Sequence, residues 1–238
     1  MMDFVSPTVT DGVPSPTCWP CARDSMANAI FDVIRGSFSH LQHLVLHAIY
    51  LDAVNAEFLA GQLSKMICVR LRLTNITAQQ AVAIFTAIGE DDSKLRMIDL
   101  SSNDLSSVDP SLFIPPMKFL RGLNLNGTDL TTCQVEAILD GLENASSLTH
   151  LCLDDIDVSQ VDSTKLAKVN HLKVVTLCQT KISIQQIIEI LEASLTATEL
   201  VEIRWGHSGF PEDRWFAMDV TPDEWHKLKK LKTNSCDL

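Results

Sequence analysis

Leucine and other apolar residues recur along the chain in one cassette, L-x-x-L-x-L-x-x-[N/T/S/I]-x-L. Its clearest copy is LRMIDLSSNDL, which begins at Leu95 and places Asn103 at the polar position. Successive copies are 25, 29, 25, 28, 24 and 28 residues apart, and they begin at Leu41, Met66, Leu95, Leu120, Leu148, Leu172 and Leu200. Self-similarity at this period is typical of stacked arrays, in which each unit buries its apolar side against the next. The pattern predicts one elongated unit.

The cassettes also predict the secondary structure. Each x-L-x-L-x core alternates apolar and polar residues, which indicates a short strand with its leucines inward. Three connections begin with Ser or Thr and continue at helical spacing, which predicts helices from Thr77, Thr131 and Ser183. AVNAEFLAGQL after the first cassette also predicts a helix. The prolines of SSVDPSLFIPPM exclude a regular helix, and SQVDSTKLAKVN has room for roughly two turns.

Both ends of the chain depart from the cassette pattern. Residues 1–23 are rich in Pro, Ser and Thr, which predicts an irregular lead-in. Residues 24–37 predict a helical N-terminal cap with four apolar residues on one side, Met26, Ile30, Phe31 and Ile34. The seven cassettes occupy 38–210. Residues 211–238 predict a C-terminal cap, where Thr221 opens a capping box before a lysine-rich helix.

Cassettes of alternating length with helical returns resemble the ribonuclease-inhibitor-like class of leucine-rich repeat proteins. The resemblance covers roughly Phe38 to Phe210. It implies an α/β fold, a leucine-rich repeat solenoid that is curved, with parallel strands on the concave side and helical or irregular returns on the convex side. Two features differ from that class. Among the seven cassettes, only Asn103 occupies the position of the asparagine that normally forms a ladder, and the steps of 24 and 25 residues are shorter than usual.

The resemblance also implies a non-catalytic protein–protein interaction module, such as an inhibitor, a scaffold, a substrate-recognition subunit of a ubiquitin ligase or a pathogen effector. The alternatives are a constitutive structural subunit of a larger assembly and a GTPase-activator-like regulator on the same fold. A catalytic arginine or asparagine that stands out from its surroundings, as such a regulator needs, is not evident in the sequence. We therefore expect no enzymatic activity.

The strand pattern locates the expected binding surface. Since the leucines point into the core, the residues between them project from the other face of the sheet. The predicted partner-binding residues are His43, His47, Arg70, Arg72, Asp99, Asn124, Asn126, His150, Asp154, Glu202 and Arg204. Arginines and histidines lie towards the N-terminal end and acids and amides in the middle, a gradient able to orient a partner. The alternative is that the face is polar only because it is wet, with loops or edges making the contacts.

Composition restricts the class of partner and the cellular compartment further. A net charge of −11 argues against nucleic acid and anionic membranes as general partners. No apolar run is long enough for a membrane span, and no small-molecule substrate or cofactor is expected. The seven cysteines show no paired framework, and the first residues lack a secretory signal. These features favour an intracellular, cytoplasmic protein, with the nucleus as the alternative.

Several motifs suggest chemistry but are better explained by structure. Cys18 and Cys21 form a C-x-x-C pair, but in a proline-rich lead-in without the preceding strand that redox motifs need. His43 and His47 are four apart on a predicted strand, about 13 Å, which is too far for two ligands of one zinc ion. Phosphate-loop and nucleophile-elbow motifs are absent. Core or cap packing is expected for the tryptophans Trp205, Trp215 and Trp225.

Overall fold

The computed structural model describes residues 26–34, 40–194, 202–206 and 217–219. Over these residues the chain has an α/β fold with one sheet, in which each strand lies beside the next strand of the sequence. The strands are β1 (His43–His47), β2 (Cys68–Arg72), β3 (Met97–Asp99), β4 (Gly122–Asn124), β5 (His150–Cys152), β6 (Val174–Cys178), β7 (Glu202–Gly206) and β8 (Ala217–Asp219). Strands β1 to β7 are parallel, and β8 pairs antiparallel with β7.

The seven predicted strands are confirmed, and each begins two residues after the start of its cassette. Their register aligns one apolar side chain per strand into a row that is at most 8% exposed, formed by Leu44, Val69, Ile98, Leu123, Leu151, Val175 and Ile203. Strand β8 has no cassette and was not predicted. It pairs with β7, where the parallel series ends.

The predicted long connections are helical. They form α3 (Ala78–Ile88), α5 (Thr132–Gly141) and α7 (Ile184–Ser194). Thr77 and Thr131 are the N-caps of the first two, each in a capping box. The first connection forms α2 (Ala56–Leu63), which begins three residues later than predicted because the Asn55 side chain accepts a hydrogen bond from the Phe58 N–H at 2.8 Å and caps the helix there.

The two remaining connections contain only short helical turns, in line with their sequences. The third holds a 3-10 turn at Pro110–Phe113 and the single turn α4 (Ile114–Met117). Its prolines lie in first turns, where a backbone N–H has no partner within the helix. The fifth holds α6 (Ser163–Leu166) and then a 3-10 turn at Ala167–His171.

Residues 26–34 are helical (α1) and cover the β1 end of the core, but the predicted buried face is wrong in one residue. Ala27, Phe31 and Ile34 are buried, Ile30 is half-buried, and Met26 is 51% exposed. The buried stripe follows i, i+4, i+7 spacing from Ala27, so the preceding residue points about 100° away from it. Phe31 packs edge-on against Phe58 of α2, with 6.2 Å between ring centroids. The lead-in and most of the predicted C-terminal cap lie outside the described residues.

A buried glutamine holds each long helix against the preceding connection. Gln80, Gln134 and Gln186 are the third residues of α3, α5 and α7 and are nearly inaccessible. The Gln80 amide nitrogen donates to the carbonyl oxygens of Leu51 and Val54, both at 2.6 Å. The other two glutamines make the equivalent bonds. These three glutamines were not among the residues predicted to have a role from the sequence.

The turns after the strands share a left-handed backbone. After each of β1 to β6, the residue five positions beyond the first residue of the strand has positive φ. These residues are Ala48, Leu73, Ser102, Gly127, Asp155 and Gln179. The turns that lead into α3, α5 and α7 contain a second such residue, Asn75, Asp129 or Lys181. The backbone therefore repeats the alternation of long and short steps seen in the sequence.

Candidate interaction surface

The side chains opposite the core form rows across the strands. The register aligns a first row, His43, Cys68, Met97, Gly122, His150, Val174 and Glu202. It also aligns a second row, Val45, Arg70, Asp99, Asn124, Cys152, Thr176 and Arg204. His47 pairs with Arg72 in a third. We call this side the strand face. Nine of the predicted partner-binding residues lie in these rows, while Asn126 and Asp154 follow β4 and β5 by two residues, and none of the eleven is buried.

The strand face begins with a basic patch, which we define as His43, Val45, His47, Arg70 and Arg72. All five side chains are exposed, and Val45 is 63% exposed. Neither arginine forms an ion pair or a side-chain hydrogen bond with any residue in the part of the chain that the structure describes. Asp99 is the register partner of Arg70, yet its carboxylate accepts from the Ser101 N–H at 2.9 Å. Among the described residues, therefore, nothing occupies the two guanidinium groups.

The middle of the strand face uses its polar atoms within the chain. Asn124 accepts from the Asn126 N–H at 3.0 Å, and the Asn126 amide donates to Asp154 at 3.0 Å. Asp154 also accepts from the Cys178 N–H at 2.7 Å. These half-buried side chains link the ends of three neighbouring strands. Fewer of their polar atoms are therefore free to form hydrogen bonds with a partner than the sequence suggests.

The C-terminal end of the strand face carries a paired charge. The Arg204 guanidinium donates to the Glu202 carboxylate on the same strand. That carboxylate raises the pKa of Arg204. His150, which shares its row with Glu202, is exposed, and its ring nitrogen Nδ1 lies 2.8 Å from the Thr149 hydroxyl. Within the described ranges, the basic patch is therefore the part of the strand face whose arginines have no ion pair.

Four residues that the alternation places on the strand face are buried: Ser101, Gly122, Thr176 and Cys178. A side chain added at Gly122 would contact Met97 and His150, so the larger neighbours cover this position. Burial raises the pKa of the Cys178 thiol to about 11 and also raises that of Cys152. Both remain protonated thiols at neutral pH, which does not favour a nucleophilic role.

One exposed residue beside the patch was missed by the sequence analysis. Leu73 directly follows Arg72, has φ 55° and is 53% exposed. An L-residue other than Gly, Asn or Asp is disfavoured in this left-handed region. The left-handed backbone at Leu73 is recognised from the equivalent residue of the five other turns, which also has positive φ. The sequence of this turn alone does not indicate it. Leu73 is therefore an exposed aliphatic residue directly after the last arginine of the basic patch.

The remaining candidates for chemistry are placed as follows. His43 and His47 lie at opposite ends of β1, as expected. Within the described ranges, no cluster of three or more His, Cys, Asp or Glu side chains is arranged to hold a metal ion. None of the helices described is long and apolar enough to cross a membrane. Trp205 is the register partner of Leu177, and the predictions for Cys18, Cys21, Trp215 and Trp225 lie outside the described residues.

Comparison with known proteins gives no family. No protein-family model matches the chain, and no curated protein matches it. One similar solved structure is Leiomodin-1 Actin-Binding Site 2 (ABS2), with 16% sequence identity and a TM-score of 0.41. The alignment covers 77% of this chain and 94% of that chain. At this identity and TM-score the similarity transfers neither a fold nor a function.

Proposed function

We propose that the chain is a leucine-rich repeat solenoid of the ribonuclease-inhibitor-like class. It acts as a non-catalytic module that binds a protein partner through the strand face, as a scaffold, an inhibitor or a substrate-recognition subunit. The proposal places it in the cytoplasm, on the sequence grounds given above. The observation that carries it is the coincidence of the seven cassettes with seven parallel strands in chain order, each beside the next.

The strand register supports a binding role. It sets the side chains of neighbouring strands side by side on a surface held by backbone hydrogen bonds. A surface that is already ordered loses little conformational entropy when a partner binds. Exposed arginine is also a frequent contributor of binding energy at protein interfaces. These features favour recognition of a macromolecule over chemistry at a single residue.

The test is quantitative affinity purification from the native lysate with the wild-type chain and three variants. Two variants change the strand face: Arg70→Glu/Arg72→Glu in the basic patch, and His150→Glu further along. The matched control is Lys94→Glu/Arg121→Glu, which reverses two exposed charges outside the strand-face rows and changes the net charge equally. Circular dichroism and thermal melting confirm that each variant is folded.

We expect at least one strand-face variant to lose a protein that the wild type and the control retain. The reason is that a reversed charge both removes attraction and repels the group it faced. The proposal is wrong if every co-purifying protein survives both strand-face variants. In that case the connections or the chain ends would make the contact, and the chain would fit a structural subunit better.

A further inference from the structure

We propose that the basic patch binds an extended acidic segment of a partner protein, in which two carboxylates two residues apart lie on the same side of the segment as a neighbouring apolar side chain. This inference rests on the proposed function and names the partner's chemistry. It follows from the spacing of Arg70 and Arg72, from their lack of ion pairs among the described residues, and from the aliphatic side chain beside them.

The spacing comes from the strand. Arg70 and Arg72 are two residues apart on β2, so both point to the same side and their Cα atoms are about 6.6 Å apart. A peptide in extended conformation places its own residues i and i+2 on one side at the same distance. Asp or Glu at those positions can therefore meet both guanidinium groups together. Arginine also offers planar, paired donors that match a carboxylate.

Charge complementarity identifies the sign of the partner. The whole chain carries a net charge of −11, yet both arginines of the patch are exposed and without an acidic partner in the described chain. The carboxylates nearest along the strand face are engaged elsewhere: Asp99 accepts from Ser101 and Asp154 from Cys178. An acidic ligand therefore need not displace an existing ion pair.

An aliphatic neighbour distinguishes a peptide from a polyphosphate. Val45 is the register partner of Arg70, one strand spacing away, and is the most exposed aliphatic side chain of the patch. Leu73, which directly follows Arg72, is a second exposed aliphatic side chain. A peptide can cover Val45 with an apolar side chain, whereas a phosphate backbone gains nothing from it. Two arginines also supply few of the phosphate contacts that nucleic-acid binding normally uses.

The test is selection of a phage-displayed library of random peptides on the immobilised full-length chain. We expect the enriched peptides to share two acidic residues separated by one residue, with an apolar residue two positions before or after the pair, on the same side of the extended peptide. Arg70→Glu/Arg72→Glu should weaken their binding at least about tenfold, and Lys94→Glu/Arg121→Glu should leave it unchanged. Moving the two acids of a selected peptide to adjacent positions should weaken binding similarly, because adjacent residues of an extended chain point to opposite sides.

Other outcomes overturn this inference and separate it from the proposed function. If the selected peptides depend on His150 and not on the patch, the strand face binds protein but the acidic-segment inference fails. If they bind at the patch without paired acids, or if nothing is enriched, the inferred ligand chemistry is wrong. If a single-stranded oligonucleotide binds with the patch dependence expected for the peptides, the ligand is a phosphate backbone. If no binding depends on any strand-face variant, both proposals fail.

Discussion

At the scale of single residues, Asn103 has the most extensive hydrogen bonding in the sheet region. Its buried amide donates to the carbonyl oxygens of Leu71 and Leu100 at 2.6 and 2.9 Å. Its oxygen accepts from the backbone N–H groups of Thr74 and Ile76 at 3.1 and 3.2 Å. It therefore satisfies the backbone of its own turn and of the preceding one. Thr74, like the equivalent threonines of later turns, reaches only one backbone carbonyl.

We expect Asn103→Ala to lower the free energy of unfolding by about 3 kcal/mol, because it leaves several buried backbone groups unsatisfied. Urea denaturation measures the change. The control is Asn144→Ala, whose side chain is exposed and makes no hydrogen bond within the described chain. Equal losses in the two variants would mean that water replaces the Asn103 amide, and the turns would not depend on it.

The polar strand face shows where residue-level prediction stops. Alternation places Asp99 and Asn126 outside the core, and the structure confirms that they are not buried. The alternation does not reveal that both are already bonded within the chain, because their partners, Ser101 and Asp154, lie in the turns that follow β3 and β5. Arg70 and Asp99 show the same limit, since they are neighbours by register without forming an ion pair. Hydrogen-bond partners depend on geometry that a single cassette does not encode.

At the scale of elements, the three buried glutamines connect helix starts to preceding connections. Gln80 accepts from the Thr77 N–H at 3.0 Å while its amide group donates to two carbonyls of the first connection. The capping residue, the first turn of α3 and the preceding loop therefore share one side chain. The sequence signal is a Gln three residues after the Ser or Thr that precedes each long helix. The helices were predicted from the cap and the apolar spacing, without this third feature.

We expect Gln80→Glu to lower the free energy of unfolding by about 3 kcal/mol, because a carboxylate cannot donate to the two buried carbonyls and is itself desolvated. Chemical denaturation at neutral pH measures it. The matched control is Gln79→Glu, the preceding residue in the same first turn, which is exposed and has the same relation to the helix dipole. It should change stability by less than about 0.5 kcal/mol. A comparable loss in both would show that charge at the helix start, and not the bridge, is responsible.

The helices also show which elements a sequence predicts well. Helices α3, α5 and α7 were predicted because an N-cap and apolar spacing agree. Strand β8 was missed because its three residues carry no alternation of their own and pair only with β7. Met26 was misplaced because one residue of error in phase rotates a side chain by about 100°. Local signals therefore predict element type, while phase and pairing depend on contacts distant in sequence.

At the scale of the whole molecule, equivalent features recur over two cassettes. Gln80 and Gln134 are 54 residues apart, and Gln134 and Gln186 are 52 apart. Asp104 and Asp157 are 53 apart, and each accepts from a Ser two residues on. Each of these spacings corresponds to two cassettes of the sequence, which supports the proposed repeat class. The two arginines of the basic patch, by contrast, both lie on β2, and this periodicity does not predict their position.

Ion pairs link neighbouring connections, and Asp157 illustrates how this depends on pH. Its carboxylate contacts the Lys181 ammonium of the next turn at 2.7 Å and also accepts from Ser159. Lys181 and Ser159 together lower the pKa of Asp157 from 3.8 to about 2. Because the folded pKa lies below the unfolded one, its contribution to stability is complete above about pH 4 and is lost as pH falls towards 2.

We therefore expect Asp157→Asn to be less stable than the wild type at neutral pH, with the difference disappearing as pH approaches 2. Urea denaturation at a series of pH values measures both curves. Asp155→Asn is the control, since Asp155 is exposed, makes no side-chain hydrogen bond within the described ranges and has φ 60°, which asparagine tolerates. Because its side chain joins no neighbouring turn, its curve should keep the wild-type shape. A constant difference between Asp157→Asn and wild type down to pH 2 would mean that this ion pair does not couple adjacent connections.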